Sequence, residues 1–187
     1  MSNLNVALRV SRLGAMVATV ALFGISGQAL AAPEAPTAPA VPPAPTAAAP
    51  LNLVVISDRA QVGVAPEVVW KKTGGYCDIG AMLKTTCVIT SGTGDVGSNR
   101  LIAGRVNEIL VAKTSTSYTY AQPMAPNLYH GTVEVLPDGA GKSVVIYTLL
   151  LDPTFGGDPA TRDTKIAERR GFLKLMLGQI KAASEAP

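Results

Sequence analysis

The chain has 187 residues, with 16 Lys and Arg against 13 Asp and Glu, which gives a formal net charge of +3. An excess this small gives no argument for a nucleic-acid partner. The length allows one ordinary domain with a single core, besides terminal segments.

The first thirty or so residues have the pattern of a secretory leader. Two basic residues, Arg9 and Arg12, precede a short apolar run, and Ala29-Leu30-Ala31 fits a small-x-small cleavage site. We predict a signal peptide over 1–31, with cleavage after Ala32 as the alternative. A retained anchor is less favoured, because the run is shorter than the ~20 residues that span a bilayer. The mature protein is therefore predicted to be periplasmic or secreted, without stable membrane insertion.

Removal of the leader also changes the charge, because it carries two arginines and no acidic residue, so the formal charge falls from +3 to about +1. Residues 32–50 are almost entirely Ala and Pro. Such a composition cannot bury a core and favours extended conformations. We predict a disordered linker over 32–50 and one folded domain over 51–187.

The domain begins with a strand pattern at 53–62, followed by two short helical segments. The first opens at Ala65-Pro66-Glu67, and the second spans 76–83. Alternating apolar residues, separated by Gly and Pro, then predict six strands connected by short loops: 86–91, 97–104, 106–113, 116–122, 128–136 and 142–151. Short connections imply antiparallel pairing.

The last segment predicts a long amphipathic helix from Asp158 to about Ala183. Asp158 is a suitable N-cap, and Pro159 suits the first helical position. The predicted apolar stripe consists of Ile166, Leu173, Met176, Leu177, Ile180 and Ala183, with Phe172 beside it. A helix of this kind must pack its apolar face on another element, here the sheet.

This order of elements resembles the helix-grip fold of the START and polyketide cyclase-dehydrase superfamily (SRPBCC, which includes the birch pollen allergen). The segments that carry the resemblance are Ala65-Pro66-Glu67-Val68-Val69-Trp70, Glu108-Ile109-Leu110, Ser117-Tyr118-Thr119-Tyr120, Tyr129-His130-Gly131-Thr132 and Asp152-Pro153. The resemblance implies an α+β fold with a curved antiparallel sheet of about seven strands around the C-terminal helix. It also implies an apolar cavity, and members of the family bind hydrophobic molecules or cyclise and dehydrate polyketides.

Cys77 and Cys87 are the only cysteines, and an even number in an exported domain favours a disulfide. The bond would join the second short helix to the start of the second strand. Two buried thiols are the alternative. A metal pair is less favoured, since no other soft ligand has a useful spacing, and the sequence predicts neither a metal nor a cofactor.

Two further motifs have an ordinary structural interpretation. Gly92-Thr93-Gly94-Asp95-Val96-Gly97 spells a dinucleotide-binding motif, but a strand pattern follows it where such a site needs a helix. We therefore predict a hairpin turn. His130, the only histidine, alternates with Thr132 and Glu134, so we predict that it lies on the outer face of its strand.

The tyrosines are the main candidates for a binding site, because a buried phenol adds a polar group to an apolar wall. Tyr129 and Tyr147 alternate with apolar residues, so packing and ligand contact remain equally good interpretations. Of the pair Tyr118 and Tyr120, we expect one member to face the cavity. Trp70 is interpreted as a packing residue.

The opposite wall of the predicted cavity is the middle of the C-terminal helix. There we expect Gly171 to leave room beside Phe172, Leu175 and Met176. A lone helix cannot fill the concave face of a curved sheet, so space should remain between the two.

Glu108 is a weak catalytic candidate, together with Tyr129 and Tyr147. An inward-facing carboxylate would have a raised pKa and could act as a general acid or base. We expect it instead to face solvent, with Arg100 or Arg105 as a cross-strand partner.

The sequence therefore favours an exported protein that binds a small hydrophobic molecule, aromatic, polyketide-like or lipid. The alternative is a cyclase or dehydratase that uses a cavity carboxylate or tyrosine. A third hypothesis is an interaction module of the cell envelope that binds no small ligand. The residues predict no particular ligand and no oligomeric state.

Overall fold

The computed structural model describes residues 51–155 and 157–187. The predicted signal peptide (1–31) and linker (32–50) lie outside the described residues, so both stay predictions. Among the helices of the described part, none is long and apolar enough to span a membrane.

Seven strands form one antiparallel sheet in the order β1-β7-β6-β5-β4-β3-β2. Their bounds are β1 Val54–Val62, β2 Cys87–Ser91, β3 Asn99–Ile102, β4 Val106–Lys113, β5 Ser117–Ala121, β6 His130–Pro137 and β7 Ser143–Leu151. Strands that follow one another from β2 to β7 are neighbours, and β7 then pairs with β1. The predicted number of strands and their antiparallel pairing are confirmed.

Alternation along β7 shows which face of the sheet holds the core. In β7, buried residues alternate with half-buried ones over the whole strand. The inward set, which includes Val145, Tyr147 and Leu149, packs in the core against the C-terminal helix. Since successive side chains of a strand point to opposite faces, this pattern fixes which face holds the core.

The glycine-rich segment after β2 is a hairpin loop, as predicted. Gly92, Gly94 and Gly97 all have positive φ, and Asn99 begins β3 directly afterwards. A left-handed conformation of this kind is accessible to glycine without steric cost. The motif therefore turns the chain between two strands and meets no helix.

Two short helices follow β1. Helix α1 spans Pro66–Thr73, and Pro66 lies at its start, where a missing N–H has no cost. Helix α2 spans Asp78–Met82 and is shorter than the predicted segment at 76–83. Cys77 and Cys87 form a disulfide that joins the start of α2 to the start of β2, as predicted.

The C-terminal helix α3 spans Arg162–Glu185. The predicted N-cap residue, Asp158, caps a short 3₁₀ helix at Pro159–Thr161 that precedes α3. Its carboxylate accepts from the N–H of Ala160 at 2.9 Å. The buried stripe of α3 is Leu173, Met176, Leu177, Ile180 and Ser184, whereas the predicted Ile166 and Ala183 are only half-buried. The Ser184 hydroxyl can be buried because it donates to the carbonyl of Ile180 at 2.7 Å.

Candidate functional site

A cavity of about 410 Å³ lies between α3, the segment after α2 and the concave face of the sheet. Its walls come from α2 and the following loop, from β3 to β5, from the residue before β6 and from α3. The lining residues are Ile79, Leu83, Thr85, Ile102, Ala103, Arg105, Val106, Glu108, Tyr120, Gln122, Tyr129, Arg169 and Phe172. The lining therefore combines apolar and polar side chains, and its exposed residues Arg105 and Arg169 mark where the cavity meets solvent.

The predicted ligand residues divide into three groups. Tyr120, Tyr129 and Phe172 line the cavity. Tyr118, Tyr147 and Met176 are buried in the core but do not line it. The placement of Leu175 on the cavity wall is wrong, because its side chain is 52 % exposed on the outer side of α3.

The room expected beside Gly171 is also not part of this cavity. Gly171 is exposed, and a Cβ built on it would meet no atom within 4 Å. The helix instead contributes to the cavity through Phe172, whose ring packs 6.3 Å from that of Tyr147. The wall of the cavity therefore lies on the sheet side of α3.

Both Tyr118 and Tyr120 face inward, whereas only one inward member was expected; of the two, Tyr120 alone lines the cavity. They are two positions apart in β5 and must share a face. The Tyr120 hydroxyl lies 2.6 Å from that of Tyr147, and this hydrogen bond satisfies two buried phenols. Burial raises the pKa of both hydroxyls well above the ordinary value, so both stay protonated at neutral pH.

The expectation that Glu108 faces solvent is wrong as well, since its side chain points into the molecule and the residue is only 3 % exposed. Its carboxylate accepts from Arg100 Nε at 2.8 Å and from Arg100 Nη2 at 2.5 Å. The other oxygen accepts from Gln122 Nε2 at 2.9 Å. Arg100 lies directly opposite Glu108 in the β3–β4 pairing, and this partner allows the carboxylate to be buried.

Arg100 is completely buried, and sequence reasoning considered it only as a surface partner. Its guanidinium lies 4.1 Å from the ring centroid of Tyr76, 5.1 Å from that of Tyr120 and 5.7 Å from that of Tyr118. It also donates to the backbone carbonyl of Tyr76. Burial would lower the pKa of Arg100, but Tyr118 and Glu108 raise it above its ordinary value, so the guanidinium stays charged.

The alternation of β3 could have shown this placement. Arg100 shares the inward face with Ile102, and both are buried. Tyr76, Gln122 and Arg169 were missed for a different reason. They lie in loops or on the charged face of α3, where no periodicity indicates which side chains approach the sheet.

The remaining candidates have structural positions. The Nδ1 atom of His130 lies 2.7 Å from the carbonyl oxygen of Leu128, and the side chain is not part of the cavity lining. Trp70 packs against Tyr118 at a ring-centroid distance of 5.8 Å. Within residues 51–155 and 157–187, no three His, Cys, Asp or Glu side chains are grouped as a metal site requires.

The polar groups of the cavity are therefore suited to hydrogen bonding. Burial is the main cause that raises the pKa of Tyr129, although Arg169 opposes the shift, so its hydroxyl can donate at neutral pH. Both oxygens of Glu108 already accept hydrogen bonds. An apolar chamber with a few fixed polar groups is the usual form of a small-molecule site.

No protein-family model matches the chain, and no curated protein matches it by sequence. Solved structures do match. A protein from Nitrosospira multiformis has a TM-score of 0.58 at 16% identity, covering 69% of this chain and 94% of that one. A protein named XoxI from Bacillus cereus has a TM-score of 0.57 at 19% identity, with the same two coverages.

Norcoclaurine synthase from Thalictrum flavum also matches, with a TM-score of 0.56 at 16% identity over 75% of this chain and 98% of that one. At these identities the likeness shows a shared fold and nothing about the reaction. It confirms the predicted architecture of a curved sheet around a long C-terminal helix, with two short helices after the first strand.

Proposed function

We propose that this chain, which has the helix-grip fold of the START and polyketide-cyclase superfamily, binds one small hydrophobic molecule in the cavity between α3 and the sheet. The observation that carries the proposal is the cavity itself. Its volume of about 410 Å³ lies in the range of ligand pockets, roughly 300–1,000 Å³. Ile79, Ile102 and Phe172 supply apolar surface, while Gln122 and Tyr129 supply hydrogen-bonding groups.

The polar groups favour binding over catalysis. A general acid or base needs a free position toward the substrate. Each oxygen of Glu108 is already engaged, one by Arg100 and the other by Gln122. Tyr147 does not line the cavity, and its hydroxyl is hydrogen-bonded to that of Tyr120. Of the three weak catalytic candidates, only Tyr129 would therefore be available to a cyclase or dehydratase for proton transfer.

We also propose that the protein acts outside the cytoplasm, in the periplasm or after secretion. The pattern of the leader supports this, and the Cys77–Cys87 disulfide is compatible with an oxidising compartment. The ligand would then be a hydrophobic molecule that the protein meets after export.

The proposal is tested by filling the cavity. Val106 lines it from the start of β4 and is half-buried, so Val106→Trp places an indole in the binding space. The probe is phenylnaphthylamine, a neutral dye that fluoresces in apolar surroundings. We expect the parent protein to bind about one equivalent and Val106→Trp to lose this binding, measured by fluorescence titration.

The matched control is Val88→Trp, because Val88 is 57 % exposed on β2 and does not line the cavity. This variant should bind the dye like the parent. Thermal melting shows that both variants are folded, since overpacking can cost roughly 1–3 kcal/mol. If the parent binds no dye, or if folded Val106→Trp binds it unchanged, the interaction-module hypothesis replaces the binding one.

A further inference from the structure

We infer that the ligand of this cavity carries an anionic group, such as a carboxylate or sulfonate, which binds to Arg105 and Arg169 at the cavity rim. This inference rests on the proposed function and specifies the chemical class of the molecule. The ligand is then an amphipathic acid, with an apolar body inside the cavity and the charge at the opening.

Arg169 is the first part of the rim. It projects from the exposed face of α3 and still lines the cavity. Its guanidinium lies over the ring of Tyr129, 5.3 Å from the centroid, a distance at which a cation is attracted to an aromatic face. This contact holds the guanidinium at the edge of the cavity. The Tyr129 hydroxyl, whose pKa burial raises, is protonated and can donate to an anion as well.

Arg105 is the second part of the rim. It is the last of the three residues that connect β3 to β4, and it follows Ala103 and Gly104, which both have positive φ. The N–H of Arg105 donates to the carbonyl of Ile102 at 3.1 Å, which fixes the backbone. The residue is exposed and lines the same cavity from the β3–β4 turn.

Among the described residues, the two rim arginines have no ion-pair partner. No Asp or Glu oxygen in the described part of the chain lies within 4.0 Å of a side-chain nitrogen of Arg105 or Arg169. The one acidic group of the lining, Glu108, is paired with the buried Arg100. Two arginines therefore face the opening with their charges available.

The neighbouring charges on α3 do not change this balance. Arg169 also borders a separate small depression together with Lys165 and Glu168, whose charges are opposite. The acidic Asp152 lies there too, but its carboxylate accepts from the backbone N–H groups of Asn52 and Thr154. Arginine presents a planar fork of N–H donors that matches the geometry of a carboxylate, so an acidic group is the complementary ligand. A neutral ligand would leave the two rim arginines without a partner, and a cationic ligand would be repelled by them.

A matched pair of probes tests the inference. Anilinonaphthalene sulfonate and phenylnaphthylamine share one aromatic skeleton and differ by the sulfonate. We expect Arg105→Gln or Arg169→Gln to raise the Kd of the sulfonate about three- to fivefold, and the double variant about tenfold. The Kd of the neutral dye should stay within about twofold of the parent, because its binding involves no charge.

The control is Arg170→Gln, which makes the same change of net charge one residue further along α3, at an exposed position that does not line the cavity. It should leave the Kd of both dyes unchanged, whereas Arg169→Lys should retain most of the affinity for the sulfonate. Added salt should weaken binding of the sulfonate to the parent and affect the double variant much less.

The inference is overturned if the double variant changes both dyes equally or neither dye, or if Arg170→Gln acts like Arg169→Gln. In those cases the neutral dye still binds in the cavity and the proposed function stands. If the parent binds neither dye, the proposed function and this inference both fail, so the two failures are distinguishable.

Discussion

Gly131 makes room for the ring of Tyr120. The two residues lie opposite each other in the β5–β6 pairing. A Cβ built on Gly131 would be 2.3 Å from the Cζ and the hydroxyl oxygen of Tyr120, closer than any real contact. The glycine therefore lets the aromatic ring lie over the neighbouring strand, where its hydroxyl reaches Tyr147.

We expect Gly131→Ala to displace this ring, because the added methyl group would occupy its position. The expected cost is roughly 1–3 kcal/mol of unfolding free energy, the range for overpacked cores. Urea denaturation measures it, and dye titration should show weaker binding, since Tyr120 lines the cavity.

Gly171→Ala is the matched control for this substitution. A Cβ at this exposed helical position meets nothing within 4 Å, so alanine should raise stability by roughly 0.5–1 kcal/mol. The cost of Gly131→Ala should also shrink in a Tyr120→Leu background, which removes the clashing ring atoms. Strictly additive effects of the two substitutions would contradict this account.

At the scale of elements, Arg100 joins three parts of the fold. It lies on β3, pairs with Glu108 on β4 and donates to the carbonyl of Tyr76, between α1 and α2. Both charged side chains are nearly or fully buried, with 0% of Arg100 and 4% of Glu108 exposed. The pair therefore fixes how the short helices lie on the end of the sheet.

Removing one partner of this pair should be strongly destabilising, because the other charge would remain buried without compensation. We expect Arg100→Met or Glu108→Leu alone to cost about 3–5 kcal/mol, measured by urea denaturation. The double variant should cost clearly less than the sum of the two, since it leaves no unpaired charge.

The surface pair Lys113–Asp95 provides the comparison. Its N–O distance is 2.7 Å, but Asp95 is largely exposed, and such pairs contribute about 0–1 kcal/mol. Asp95→Asn should therefore have little effect. A cost for Asp95→Asn equal to that of the single variants of the buried pair would show that burial is not the cause.

The elements themselves could be predicted because their signals are local. Alternation along β7 and the glycines of the β2–β3 loop need only neighbouring residues to be interpreted, and the strands began and ended close to the predicted residues. The predicted helical segment at 76–83 was longer than α2, because part of its apolar character serves core packing outside the helix. Tyr76 packs against Arg100 in the core and is not helical.

The site could be predicted less well, because its side chains meet through the register of neighbouring strands. A carboxylate in a strand suggests an outer face until the register shows that Arg100 lies opposite Glu108. This register cannot be obtained from periodicity within one strand. The rotation of α3 could be obtained, because its apolar stripe includes Leu173 and Met176, and Leu175 lies off that stripe.

At the scale of the whole molecule, all five tyrosines of the chain lie in the interior of one domain. Burial raises the pKa of Tyr76, Tyr118, Tyr120, Tyr129 and Tyr147 above the ordinary value, and it is the largest cause in each case. The native state therefore keeps five phenolic protons at a pH where the unfolded chain releases them.

This difference determines how stability depends on alkaline pH. A group with a raised pKa in the folded state contributes stability that is complete below its unfolded pKa, about 10 for tyrosine, and lost as the pH rises above it. Each tyrosine lowers the unfolding free energy by about 1.4 kcal/mol per pH unit in that range, so five lower it by up to about 7 kcal/mol per pH unit.

We expect the tyrosinate absorbance of the native protein to stay flat through about pH 10 and then to rise in one step, together with loss of the near-ultraviolet circular dichroism. The control is the protein in guanidinium chloride, in which the tyrosines should titrate gradually with a midpoint near about pH 10. A rise of absorbance at that pH with the native dichroism intact would show that at least one ring is accessible, and the close packing of the five tyrosines around Arg100 and the cavity would then be wrong.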